Sequence, residues 1–144
     1  MIPVRSVKGG YDMTVELSVL AWSSVLLLVL ILISANANLS AMGMAWGIGN
    51  REEASTASGW GARARRAYLN LLENLVIYGG LVVTAHLANV HTDLTILGAQ
   101  LFMAGRIVHA IVYVAGITFL GIRTLAYFAG VIGTLLIAYE VLIA

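Results

Sequence analysis

The sequence predicts an all-α fold, an integral membrane four-helix bundle, folded as a single domain over 1–144. Three observations predict it. Of the 144 residues 60% are hydrophobic and only 10% charged, and the mean hydropathy of +0.94 lies outside the range of ordinary soluble domains. The apolar residues fall into four stretches, each long enough for a bilayer core about 30 Å thick, which takes roughly 20 residues of helix. Little chain is left over for a soluble domain.

The stretch up to Tyr11 is mixed, with Arg5, Lys8 and a Gly9-Gly10 pair. Span 1 covers about 13–37. It is longer than a signal-peptide core and lacks a small-residue cleavage pattern before the next polar segment, so it is expected to be retained. A loop follows over about 38–65, marked by four glycines from Gly43 to Gly59, the polar cluster Asn50-Arg51-Glu52-Glu53 and a Ser/Thr-rich stretch. Span 2 covers about 66–90, span 3 about 94–115 and span 4 about 121–143, with short connections between them. The only proline is Pro3, so no span carries a proline kink. Arg51, Arg63, Arg65 and Arg66 in loop 1, with Arg123 at the same end of span 4, outnumber Arg5 and Lys8 at the N-terminus. The positive-inside rule then predicts that loops 1 and 3 are cytoplasmic. Small residues recur at helix-packing spacing, as Ala126 with Gly130, Ala129 with Gly133, and Gly98 with Gly105.

Several function classes drop out on composition. The chain has no cysteine, which excludes disulfides, thiolate metal sites and a cysteine nucleophile; any thiol chemistry has to use a bound thiol. A net charge of +1 without a basic run on a soluble surface does not suit nucleic acid. His86 and His91 fall at the far end of span 2 with no cysteine or paired carboxylate beside them in sequence, so no metal site is expected and both are read as interfacial.

The spans are interrupted in a pattern. Span 2 carries Arg66, Asn70, Glu73 and Asn74 at i, i+4, i+7 and i+8, on one face of a helix. Span 3 carries Arg106, His109 and Tyr113 at i, i+3 and i+7, and span 4 opens with Arg123, Thr124 and Tyr127. At about 1.5 Å of rise per residue these groups fall in one leaflet, with Arg106 deepest. An arginine at mid-membrane costs at least about 2.5 to 3.5 kcal/mol, so they should face a protein interior or a wet cavity. Arg66, Arg106 and Arg123 set three positive charges against Glu73, an excess that an anionic ligand would balance. The alternative is that Glu73 pairs with one arginine while Arg66 and Arg123 snorkel to the interface; Arg106 sits too deep for that.

The segment Arg65-Arg66-Ala67-Tyr68-Leu69-Asn70-Leu71-Leu72-Glu73-Asn74-Leu75, then Gly105-Arg106-Ile107-Val108-His109 with Tyr113, then Ile122-Arg123-Thr124 with Tyr127, resembles the MAPEG family, the membrane-associated proteins of eicosanoid and glutathione metabolism. The resemblance runs from Asn50 to the C-terminus, is weaker over span 1, and is to the bacterial, microsomal-glutathione-transferase type of member. It implies a homotrimer of four-helix subunits in an inner membrane, with glutathione bound at subunit interfaces in the cytoplasmic leaflet. By the resemblance, Arg66 and Arg106 would grip glutathione carboxylates, Asn70, Glu73 and Asn74 would meet its polar groups, and His109, Tyr113 and Tyr127 would complete the pocket. Arg123 would be catalytic, its guanidinium favouring the thiolate over the thiol, with Thr124 donating a hydrogen bond to the same sulfur. The implied activity is glutathione transferase or peroxidase, acting on a hydrophobic small molecule or lipid hydroperoxide that arrives from the membrane lipid. The sequence departs from the family where Tyr68 stands for a frequent His, and in having no proline between Tyr113 and Arg123. These departures bear on how Arg123 is oriented and on which lipophilic substrate is used.

Two other readings are carried. One is a non-catalytic lipid-binding protein of the same fold. The other is a small proton-coupled multidrug exporter using Glu16, which would lack any need for three arginines in one leaflet. Tyr11, Trp22, Tyr78 and Tyr139 are read as belt or packing aromatics, and Asp93 and Glu140 as helix-end residues.

Overall fold

In a computed structural model the described residues, 13–144, form helices joined by loops, without strands. Arg5, Lys8 and Tyr11 lie outside the described residues. The elements are α1 (Val15–Met42), a short α2 (Met44–Ile48), α3 (Gly59–Leu87), α4 (Asp93–Ala115) and α5 (Ile122–Ile143), with a 3-10 turn at Phe119–Gly121 before α5. All but α2 are long and apolar enough to cross a membrane.

The boundaries differ from those read in the sequence, most of all around the expected loop over 38–65. Span 1 was expected to end at 37, yet α1 runs on to Met42 and carries the polar Asn38 and Ser40 within it. Ser40 Oγ donates to the Asn36 carbonyl and Ser55 Oγ to Asn38 Oδ1, so these groups are satisfied without leaving the helix. Gly43 stops it, at φ 83, where a side chain would be strained. Helix α3 starts at Gly59, about two turns before Arg66, because Ala62, Arg63, Ala64 and Arg65 are strong helix formers. It ends at Leu87, and Asn89 turns the chain with φ 56. Helix α4 opens with a capping box in which the Thr92 and Thr95 side chains each accept from the other's backbone N–H.

Helices α3 and α4 form the centre, touching both flanking helices; α1 and α5 do not touch each other. The tightest pair is α4 with α5, and glycine makes it so. A Cβ added to Gly98 would meet the Gly133 carbonyl at 2.6 Å, and one on Gly105 the Ala126 carbonyl at 2.6 Å. Two apolar clusters fill the interior. Leu75, Tyr78, Val82, Ala99, Phe102 and Ile137 pack towards one end, and Leu30, Ala67, Leu71 and Ala110 towards the other. Tyr78 is a core residue, fully buried and stacked on Phe102 at 3.9 Å between ring centres. Outward positions such as Leu28, Leu32, Val76, Ile111 and Leu135 are large, apolar and exposed, which suits lipid as the surrounding solvent.

Candidate functional site

The polar residues of α3, α4 and α5 converge at the end of the bundle where α3 and α5 begin. Tyr113, in the last turns of α4, is their hub. The guanidinium of Arg66 stands over its ring at 6.0 Å from the centroid, and that of Arg123 at 4.9 Å. His109, one turn earlier on α4, is buried against Tyr113 and Tyr127, with ring centres 5.3 and 6.4 Å away. Arg123 falls in the first turn of α5 because the 3-10 turn and Gly121, at φ 64, set where that helix begins.

Arg106 is held differently. It is 2% exposed, and its guanidinium donates to Asn70 Oδ1 at 3.0 Å, Asn74 Oδ1 at 3.1 Å and the Tyr127 carbonyl at 3.4 Å. The Phe102 and Tyr127 rings lie 5.3 and 5.2 Å from it. Gly130 makes the room, since a Cβ there would meet Nη2 at 2.5 Å. Asn74 Nδ2 donates back to the Asn70 backbone carbonyl at 2.7 Å, so the Asn74 carboxamide is fixed against its own helix. One polar atom, Arg106 Nε, is buried without a partner. Arg106 thus ties α3 to α4 and α5 through neutral acceptors, and no carboxylate cancels its charge.

The polar stripe of α3 is therefore split. At about 100° per residue, Glu73, Arg66, Asn70 and Asn74 fan across an arc of about 100° in that order. Asn70 and Asn74, at one edge, turn in to Arg106; Arg66 and Glu73, at the other, are exposed. Glu73 pairs with none of the three arginines. Among the described residues the sole ion pair is Glu16 with His91, at the opposite end of the bundle. Thr124 is exposed beside Arg123.

Three arginines of the loop region have distinct surroundings that the sequence did not separate. Arg63 Nε donates to the Val114 carbonyl at 3.0 Å, fastening the start of α3 to the end of α4. Arg51 donates to the Gly47 carbonyl and stands over Trp46. Arg65 joins Arg66, Asn38 and Ser55 around a cavity of about 380 Å3 between α1, the loop and α3. A signal for it was present, because no acidic residue lies three or four positions from Arg65 to pair with it on the helix.

The sequence left Glu16 and His91 unconnected, and the fold brings them together. Glu16, 1% exposed, accepts a short hydrogen bond from Thr95 Oγ1 and lies 3.6 Å from His91 Nδ1. The Tyr78 hydroxyl donates to the Glu16 carbonyl at 3.3 Å, and His86 lies against His91. Glu16 and Thr95 are 79 positions apart, so only the packing of α1 on α4 brings them together.

In comparison with known proteins, the MAPEG family model matches residues 19–143, nearly the whole chain. No curated protein and no solved structure matches it.

Proposed function

The chain belongs to the MAPEG family, and on that premise we propose that it is a glutathione-dependent membrane transferase or peroxidase. One observation carries this reading. Arg66 and Arg123 gather over a single ring, Tyr113, and neither has a carboxylate partner among the described residues. Cations clustered at membrane depth without counter-charge ask for an anion. The start of α5 adds to the demand, since its first turn has no acidic residue and no side-chain cap. Glutathione, with two carboxylates, an ammonium and a thiol, fits this donor set, Glu73 being the one acceptor for the ammonium.

When bound, glutathione supplies the thiol that the cysteine-free chain lacks. Arg66 holds a carboxylate, and Asn70 and Asn74, kept in place by Arg106, present polar edges to the tripeptide. Arg106 keeps its charge near the same anion, while His109, Tyr113 and Tyr127 form the wall. Arg123 places positive charge beside the sulfur and so favours the thiolate, the nucleophilic form, with Thr124 as a hydroxyl donor. The second substrate is a hydrophobic electrophile or lipid hydroperoxide. A groove of about 440 Å3 between α1 and α4, lined by Leu26, Leu30, Ile107, Ala110 and Ile111 among others, is almost wholly apolar and supports entry from the bilayer. The same groove is what favours the second reading, a lipid-binding protein without thiol chemistry.

Glu73, two turns beyond Arg66 on α3, is exposed on the single chain at a depth where lipid contact is costly. Its exposure supports a homotrimer in which a neighbouring copy covers it, the site being closed at the subunit interface on the cytoplasmic side of an inner membrane. The test is a glutathione titration of the detergent-solubilised chain, followed by the ultraviolet band of the thiolate near neutral pH. Saturable binding with a thiolate band is expected; no binding at millimolar glutathione refutes the reading. Conjugation to an aryl halide separates the enzyme from the lipid-binding protein.

A further inference from the structure

The cavity of about 380 Å3 between the end of α1, the loop and the start of α3 lies outside the site just described and shares one residue with it, Arg66. Its volume falls in the range of small-ligand sites, roughly 300 to 1,000 Å3. The charged groups that line it are both cations, Arg65 and Arg66. Ser55 Oγ accepts from the Ala57 N–H at 3.2 Å and donates to Asn38 Oδ1 at 2.8 Å, so the hydroxyl and the carboxamide oxygen are both engaged. What Asn38 has left to offer is its NH2 group. Arg65 is exposed, without a hydrogen bond or ion pair among the described residues, and no acidic residue lines the cavity. Gly61 and Ala62, in the first turn of the 29-residue α3, form part of the wall and bring the positive end of that helix to it.

We propose that this cavity, formed by Arg65, Arg66, Asn38 and the start of α3, binds a phosphate-bearing anion. Two arginines and an amide lining one cavity offer more donors than one carboxylate uses, and they suit the several oxygens and higher charge of phosphate. The level in the membrane agrees. Trp60, half exposed and a little over one turn before Arg65, marks the interface where lipid phosphates lie. A phospholipid headgroup and a soluble phosphate are the two sources of that chemistry. The proposal does not depend on glutathione binding, which uses the Tyr113 side of Arg66.

The test uses the full chain, delipidated in detergent, titrated separately with short-chain phosphatidylglycerol and with inorganic phosphate, and read by native mass spectrometry and thermal shift. Saturable binding of one molecule per chain is expected. It should weaken at least about tenfold in Arg65→Gln, which removes the charge at similar length, and in Ala62→Leu, which fills the cavity. Arg51→Gln, a loop arginine away from the cavity, should bind like the parent. Binding in the lipid arm alone assigns a membrane headgroup, and competition by inorganic phosphate assigns a soluble ligand. Absence of saturable binding in both arms overturns the proposal, as does an equal loss in Arg51→Gln or none in Arg65→Gln. Helix content by circular dichroism identifies a variant that has failed to fold. Glutathione is titrated in parallel on the parent chain, so its failure there leaves the phosphate result standing.

Discussion

The two ends of the bundle carry the same costly kind of residue and treat it in opposite ways. At one end Glu16 is enclosed, with Thr95 donating to its carboxylate, His91 beside it and Tyr78 bonded to its carbonyl. Every partner comes from the same chain. At the other end Arg66, Glu73 and Arg123 are exposed and without an ion pair among the described residues, although both terminal nitrogens of Arg106 nearby are engaged. A closed network contributes to stability; an open one keeps its electrostatic energy for something that arrives. Polar residues inside a membrane are thus not sorted by type or depth but by whether their partners are already present.

The sharpest way to break this comparison is Arg123→Ala. If the open end is kept for a ligand, glutathione conjugation should fall by about 10²- to 10³-fold, the usual cost of removing one charge-stabilising donor. Unfolding in detergent should change by no more than about 0.5 kcal/mol, as for other surface substitutions. Glutathione should still bind, with its thiolate band lost. A stability loss in step with the activity loss would make the open end as structural as the other.

Arg106→Met tests the boundary between the two behaviours. It preserves bulk and contact with Phe102 but leaves the side-chain oxygens of Asn70 and Asn74 without their donor. An unsatisfied acceptor costs about 1–3 kcal/mol when buried, and for these two half-buried carboxamides the lower part of that range applies, so a stability loss of about 2–4 kcal/mol is expected by denaturant titration. Glutathione affinity should fall as well, because the carboxamides lose their orientation. Lost affinity at unchanged stability would instead place Arg106 directly on the ligand.

These differences explain what the sequence disclosed. The four spans were legible because lipid enforces long apolar stretches, and the three polar stripes because helical period puts them on one side. Which edge of the α3 stripe turns inward was not legible. That depends on Arg106 reaching Asn70 and Asn74 across 36 and 32 positions of chain, through a gap that exists because residue 130 is glycine. The helix ends differ from the loop bounds for a local reason: Asn38 and Ser40 continue α1 because Ser55 and the Asn36 carbonyl satisfy them. Glu16 was read as a candidate proton carrier because it is a carboxylate in the first span of a small four-span chain, and nothing near it in sequence reveals Thr95. Family membership and the enclosure of Glu16 remove the motive for an exporter.

The closed end should respond through stability alone, and by less. Thr95→Val keeps the shape of the side chain but removes the hydroxyl that donates to Glu16 and accepts from the Thr92 N–H. A loss of about 1–2 kcal/mol is expected. Glu16→Gln should cost less than about 1 kcal/mol, because a carboxamide oxygen still accepts from Thr95 and only the charge facing His91, which is itself 30% exposed, is given up. Both variants should bind glutathione like the parent chain, since neither residue reaches the Tyr113 cluster. If Glu16→Gln proved the more damaging of the two, the charge rather than the hydrogen bond would be what the far end preserves. The closed network would then be a functional site of its own, and the distinction between the ends would fail.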